Sequence, residues 1–315
     1  MTTVKTIRYL PQGGAEVISD EVPPPGAGEV QIKMNACGIC AWDLYTAKVG
    51  TANAFKPACP GHEGVGRVVA LGPDVTGVQL GAKVMGGGFA ELRNARREHL
   101  IMLPESDLPD EHWVVEPVGC CIHAVDHAHV SPGHRIAVIG VGFMGLVITQ
   151  LYGRCPVDEL VAIDIDPRKL ELAKSFGATR TILANSPDAE RQYAEVKALG
   201  IDTAIDSSGT QAGMDTCAKV VKRGGRILLF GWIHGKASFV GDEWHLGGYT
   251  VVNASPFSGL RDTIPAAIRM LNSGIVSLKP LVTHVVSIDE YPELLRRVAS
   301  GQEKGYIKGV VKHGN

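Results

Sequence analysis

A surplus of positive charge is missing from this chain: 31 lysines and arginines face 33 aspartates and glutamates, for a formal charge of −2. That balance offers no electrostatic footprint for nucleic acid or for an acidic membrane surface. Long apolar runs are missing too. The longest candidate, "IAVIGVGFMGLVITQLYG" from Ile136, is interrupted by glycines, and its ungapped runs are too short to span a bilayer. The N-terminal "MTTVKTIRYLPQGG" lacks the apolar segment of a secretory signal. Regular cysteine spacing is also absent, the seven cysteines falling at 37, 40, 59, 120, 121, 155 and 217. An odd, irregular set argues against a disulfide framework and for free or metal-bound thiols, so a cytoplasmic location is expected.

What is present suits a soluble globular protein. The 315 residues are 45% hydrophobic and 20% charged, enough for two domains with full cores. The first hundred residues read as short β segments such as "EVQIKMNA", "GVGRVVALG" and "GAKVMG", bounded by Gly, Pro and Asp. From about Glu116 the pattern changes. Strand-like runs ("RIAVIG", "ELVAIDI", "IDTAIDSSG", "RILLFGW") alternate with helical ones ("FMGLVITQLYG", "PRKLELAKSFG", "MDTCAKVVKRGG"), the mark of βαβ units on a parallel sheet. After Pro265 come a helix pattern, the strand "LVTHVVSI", the helix "YPELLRRVASG" and the strand "IKGVVK". The expected class is α/β. A β-rich domain over residues 1–123 and 268–315 encloses a doubly wound Rossmann domain over 124–267.

"GVGFMG" supplies Gly140, Gly142 and Gly145 as G-x-G-x-x-G, directly after a strand and opening a helix. The first glycine permits the tight turn, the second lets backbone approach a pyrophosphate, and the third lets helix pack on strand. Asp164 ends the next strand, nineteen residues after Gly145, where a carboxylate accepts hydrogen bonds from an adenosine ribose and repels a 2′-phosphate. NAD is therefore favoured, while Arg168 and Lys169 close by keep NADP open. Phe143, Met144 and Ser208 complete the expected cofactor contacts.

"NACGICAWDLY" puts Cys37 and Cys40 three apart, with Asp43 three further on. "CPGHEGVG" adds His62 and Glu63, and "VVEPVGCCIHAV" adds Glu116. A thiolate, an imidazole and a carboxylate with one open position are what a catalytic zinc requires. A structural zinc needs a closed four-ligand set, and there is no second C-x-x-C. A thioredoxin-like redox pair usually opens a helix in an α/β setting that this β-rich stretch does not provide.

These motifs, with "VAIDIDPRKLELAKSFGA", "PLVTHVV" and "SGQEKGYIKGVVK", resemble over essentially the whole length the zinc-containing medium-chain dehydrogenase/reductase family, the alcohol and polyol dehydrogenases. The resemblance implies a GroES-like catalytic domain beside the Rossmann domain, one catalytic zinc, NAD, a small alcohol as substrate, and a homo-oligomer (dimer or tetramer). It makes Cys40 the thiolate ligand, His62 the imidazole ligand, Glu63 an adjacent carboxylate that can exchange with the ligands, and Glu116 the carboxylate ligand. Cys120 and Cys121, one helical turn later, compete with Glu116 for that place. Asp43 would orient the zinc-bound imidazole, and Lys308 would lie near the cofactor pyrophosphate.

Two departures from the family pattern stand out. The Ser or Thr that normally precedes the aspartate, and passes on the alcohol proton, is Trp42; an indole N–H donates a hydrogen bond but cannot accept that proton. The relay's outer histidine position holds Tyr45. The cysteine-rich loop of a structural-zinc lobe is missing from "GAKVMGGGFAELRNARREHLIMLP". The reading is then hydride transfer from a secondary alcohol of a polyol, cyclitol or sugar derivative to NAD. Two alternatives remain open: transient oxidation driving elimination or epimerisation without net NADH, and a catalytically inactive NAD-binding scaffold.

Overall fold

The computed structural model describes residues 1–54, 60–255 and 259–314; Cys59, counted above, lies outside them. In chain order the elements begin with strands β1 (Thr2–Tyr9), β2 (Ala15–Val22) and β3 (Glu29–Gly38), followed by helix α1 (Ala41–Val49). Strands β4 (Glu63–Leu71), β5 (Lys83–Gly86), β6 (Leu92–Arg96) and β7 (Ile101–Met102) precede α2 (Val115–Ala128). Then come β8 (Arg135–Ile139), α3 (Phe143–Tyr152), β9 (Glu159–Asp164), α4 (Pro167–Ser175), β10 (Arg180–Leu183) and α5 (Ala189–Leu199). They are followed by β11 (Ile201–Asp206), α6 (Gln211–Val220), β12 (Val221–Leu229), α7 (Gly241–Gly247) and β13 (Thr250–Asn253). The chain ends with α8 (Ile264–Asn272), β14 (Val282–Val286), α9 (Tyr291–Ala299) and β15 (Lys308–Lys312).

Two compact units result, Met1–Glu116 with Ser277–Asn315, and Pro117–Val276. The sequence reading places the same two divisions after 123 and after 267. Helix α8 goes with the second unit because it packs on α2: a Cβ added at Gly119 would come within 2.9 Å of Ile264 Cδ1.

In the first unit, β1 and β2 form a hairpin and β14-β15-β3-β4-β5-β7 form a sheet, with β6 also paired to β3. Strand β3 shows why it is a strand. Val30, Ile32, Met34 and Ala36 alternate inward and are at most 1% exposed, and the first three join Val68, Val78 and Val84 in one core cluster. The chain runs from β5 through β6 to β7 without an inserted lobe. Strand β15 pairs antiparallel with β3, Val310 opposite Gly38, so the last strand reaches the stretch that leads into α1.

The end of β15 leads to a residue with a cost. His313 is 5% exposed, and neither ring nitrogen has a hydrogen-bond partner among the described residues. Burial pushes its pKa down to about 4 from 6.5. The unfolded chain therefore takes up a proton below pH 6.5 that the folded protein refuses until about pH 4, so stability falls as pH drops through that window. The full penalty is about 3 kcal/mol. Urea denaturation at pH 7 and pH 4.5 is expected to show the wild type losing more stability than His313→Leu; equal losses would exclude this histidine as the source.

The second unit is a parallel sheet in the order β10-β9-β8-β11-β12-β13. This is the doubly wound order, whose switch point lies between β8 and β11. Strand β8 is buried from Ile136 to Ile139, as expected of a strand covered on both faces. One local expectation changes: the helical run "MDTCAKVVKRGG" stops at Val220, and β12 starts at Val221, whose N–H still bonds Cys217 O. Adjacent β-branched residues favour that early exit into a strand.

Candidate functional site

Strand β3 delivers Cys37 into the core and then ends. Cys37 is 1% exposed among Ile7, Tyr9, Phe89 and Val311, and burial pushes its thiol up to about 12. Cys40 instead sits at the N-cap of α1. The two cysteines thus belong to different environments, one packed, one at a helix entrance, and only the second meets other ligand-type side chains. Cys40 Sγ, a ring nitrogen of His62 and a carboxylate oxygen of Glu63 all lie within 4.8 Å of one another, and no other such group occurs among the described residues.

Local geometry explains this convergence. Glu63 opens β4 directly opposite Gly38, and a Cβ at Gly38 would be 2.2 Å from Glu63 Oε2. Glycine at 38 therefore makes the room that the carboxylate occupies. Gly61, at φ +76°, turns the chain into His62. Opposite Glu63 stands Lys308, whose Nζ lies 2.5 Å from Glu63 Oε2, off the line of a well-formed hydrogen bond, and donates to Ile39 O at 2.9 Å. Both side chains are almost fully buried. Burial alone would lower the Lys308 pKa; Glu63 first, then Cys40, raise it above its ordinary value. Lys308 is thus not a solvated surface lysine: its ammonium is paired with Glu63 in the interior.

Asp43, fully buried, accepts from Tyr9 Oη at 2.7 Å and from the Cys40 N–H at 2.7 Å. Tyr9 and Tyr291 hydroxyls are 2.8 Å apart. Because an ionised aspartate only accepts, Tyr9 donates to it and accepts a hydrogen bond from the Tyr291 hydroxyl. Burial pushes Asp43 up to about 6, against the pull of these donors. The aspartate expected to orient the imidazole therefore holds the backbone of the thiol residue. Tyr9 and Tyr291 carried no sequence signal; they are 282 residues apart. Tyr306 was missed as well, and its buried hydroxyl has no hydrogen-bond partner among the described residues. Trp42 and Tyr45 share one face of α1, ring centroids 5.6 Å apart, both half-buried.

Glu116 stands at the head of α2, half-buried and outside the three-residue group. Of its neighbours, Cys121 is fully buried with Sγ against Met144 O at 3.5 Å, and Cys120 is half-buried.

Fitness for a cation follows from the donor chemistry. Burial, and next the Glu63 carboxylate, hold the Cys40 thiol well above its ordinary pKa. A divalent cation is the partner that reverses both effects, deprotonating the thiol and neutralising the carboxylate.

In the second unit, Gly140 adopts φ +82°, and a Cβ there would strike Ser208 Cβ at 2.6 Å. A Cβ at Gly145 would lie 2.1 Å from Gly140 O, whereas one at Gly142 meets nothing within 4 Å. The loop is closed on its inner side and open where backbone would face a phosphate. Asp164 accepts from Val141 N–H at 2.8 Å and Asp166 N–H at 2.9 Å, bracing that loop. A carboxylate has lone pairs left for a ribose. Phe143 is buried and Met144 half-buried in the first turn of α3. Arg168 is exposed and ion-paired to Asp166, Lys169 is half-buried, and Ser208 Oγ donates to Asp206 Oδ1 at 2.6 Å.

Comparison with known proteins agrees with both halves. Residues 26–105 match the alcohol dehydrogenase GroES-like domain, and residues 131–273 match the zinc-binding dehydrogenase family. The chain belongs to the zinc-type medium-chain dehydrogenase/reductases. Among curated members of the family, D-arabinitol dehydrogenase 1 of Uromyces fabae is 27% identical, with 91% of each chain covered. Sorbitol dehydrogenase of Bacillus subtilis is 27% identical over 88% of each. The crystal structure of 2R,3R-butanediol dehydrogenase from Bacillus subtilis has the same fold, at a TM-score of 0.84 and 23% identity, covering 99% of this chain and all of that one. No helix among the described residues is long and apolar enough to cross a membrane.

Proposed function

We propose that this protein is a zinc-dependent oxidoreductase that transfers hydride from a secondary alcohol, in a polyol, cyclitol or sugar derivative, to NAD. The observation that carries this reading is the convergence of Cys40, His62 and Glu63, in a chain that also holds a glycine-loop dinucleotide fold. Relatives that oxidise arabinitol and sorbitol support the substrate class.

When bound, zinc supplies a Lewis acid that acidifies the substrate hydroxyl, and NAD supplies the hydride acceptor. Cys40 and His62 would hold the ion together with a carboxylate. Glu63 is the acid already within reach of both, and Glu116 is the second candidate. Asp43 fixes the Cys40 backbone, and Lys308 gives Glu63 a buried counter-charge. Trp42 offers no acceptor for the alcohol proton, so that proton leaves by way of Glu63, Tyr45 or water. The same substitution favours a second reading, transient oxidation without net NADH.

Screening sorbitol, arabinitol and other polyols against zinc-loaded protein separates these readings. NADH accumulation supports the dehydrogenase; product without NADH supports the internal redox cycle. Neither, with one NAD bound per chain, would leave the scaffold.

Cofactor choice has its own test. Asp164→Asn keeps an acceptor for Val141 N–H while removing the charge. The NADP-to-NAD ratio of kcat/KM is expected to rise roughly 10- to 100-fold, the worth of a charge-assisted hydrogen bond. An unchanged ratio would take Asp164 off the ribose.

A further inference from the structure

The first unit contains a pocket of about 330 Å³ whose lining includes Gly87, packed against His62, and two arginines. Arg93 and Arg96, both on β6, and His99 just beyond it share the pocket with Gly87, Asn94 and one acid, Glu29. The decisive residue is Arg93. Its guanidinium donates to Gly87 O and lies over Gly87 and Gly88, where added Cβ atoms would be 3.5 and 3.4 Å from Nη1. The same Cβ at Gly87 would be 3.0 Å from His62 Cα. Two consecutive glycines thus let a guanidinium lie against the His62 loop.

That charge is not neutralised. Arg93 is half-buried and pairs with no carboxylate among the described residues. Glu29 accepts from Gly26 N–H at 2.9 Å and makes no ion pair with Arg93 or Arg96, although Arg96 is its cross-strand partner. A half-buried guanidinium that keeps most of its donors, in a pocket of this size, is suited to a planar or tetrahedral oxyanion, which it can grip with two parallel N–H groups.

We infer that Arg93 anchors an anionic group of the substrate, so the polyol this protein oxidises carries a carboxylate or a phosphate monoester. This rests on the polyol-oxidoreductase reading above, but its test does not depend on turnover. Calorimetric titration of zinc-loaded protein with D-sorbitol, D-gluconate and D-sorbitol 6-phosphate measures the preference directly.

The anionic ligand is expected to bind about tenfold or more tightly than sorbitol, the worth of a charge-assisted contact. Arg93→Gln should abolish that advantage, while Arg93→Lys, which keeps the charge but not the fork, should retain part of it. A preference for gluconate alone identifies a carboxylate, and one for the phosphate alone a phosphate monoester. Equal affinity for charged and neutral ligands, no measurable binding of any of the three, or a preference that survives Arg93→Gln would overturn the assignment. If anion binding follows Arg93 while no polyol yields NADH, the oxidoreductase reading fails and only the anion site at Arg93 stands.

Discussion

Cys40→Ser is expected to strip zinc and activity together, whereas Cys37→Ser leaves the metal in place. The difference does not come from sequence spacing, which treats the two alike. It comes from where β3 ends. Cys37 lies in the core cluster under Phe89 and Val311, with its thiol raised to about 12 and Gly61 packed against its sulfur. Cys40 meets His62 and Glu63 within 4.8 Å. Serine cannot supply a thiolate, and losing the Lewis acid removes several kcal/mol of transition-state stabilisation, about a thousandfold or more in kcat/KM. Metal analysis by atomic emission, run beside the rate assay, decides the matter. Zinc retained in Cys40→Ser and lost in Cys37→Ser would reverse the assignment.

Lys308→Met, an exchange of similar length at a buried position, should produce a large loss of stability. Removing the ammonium leaves Glu63 buried beside Cys40 without its counter-charge, and leaves Ile39 O without its donor. Breaking one side of a buried pair costs about 3–5 kcal/mol. In a protein of this size that lowers the Tm by roughly 10 °C. The double exchange Lys308→Met with Glu63→Leu should recover much of it, because apolar packing can replace a buried pair. A pyrophosphate contact predicts a different outcome, weaker NAD binding with unchanged Tm. Thermal unfolding without cofactor therefore separates the two roles, and an unaltered Tm would refute the buried pair.

Much of the fold is legible in the sequence because it is written locally. The inward alternation of Val30, Ile32 and Met34 marks β3, and the apolar run of β8 followed by Gly140, Gly142 and Gly145 marks the dinucleotide turn. These signals need only neighbours two to five positions away. The short strands β6, β7, β10 and β13 and helices α5 and α7 are less legible, being brief or weakly patterned. The site is legible as residue types. Positions 40, 62 and 63 are legible as metal-ligand residue types, but their partners are not. Lys308 reads locally as a surface or cofactor lysine, and Asp43 as a partner of the imidazole.

The chain's own order of residues determined the two structural grammars, the glycine turn and the inventory of thiol, imidazole and carboxylate groups. Tertiary structure decided which of those groups meet. The bond from Lys308 to Ile39 O spans 269 residues, and the one from Tyr9 to Tyr291 spans 282. The physical reason is that β15 closes against β3 only after the whole second unit has intervened. Burial then makes each charge choose a partner, since an unpaired one in that interior would be too costly to keep.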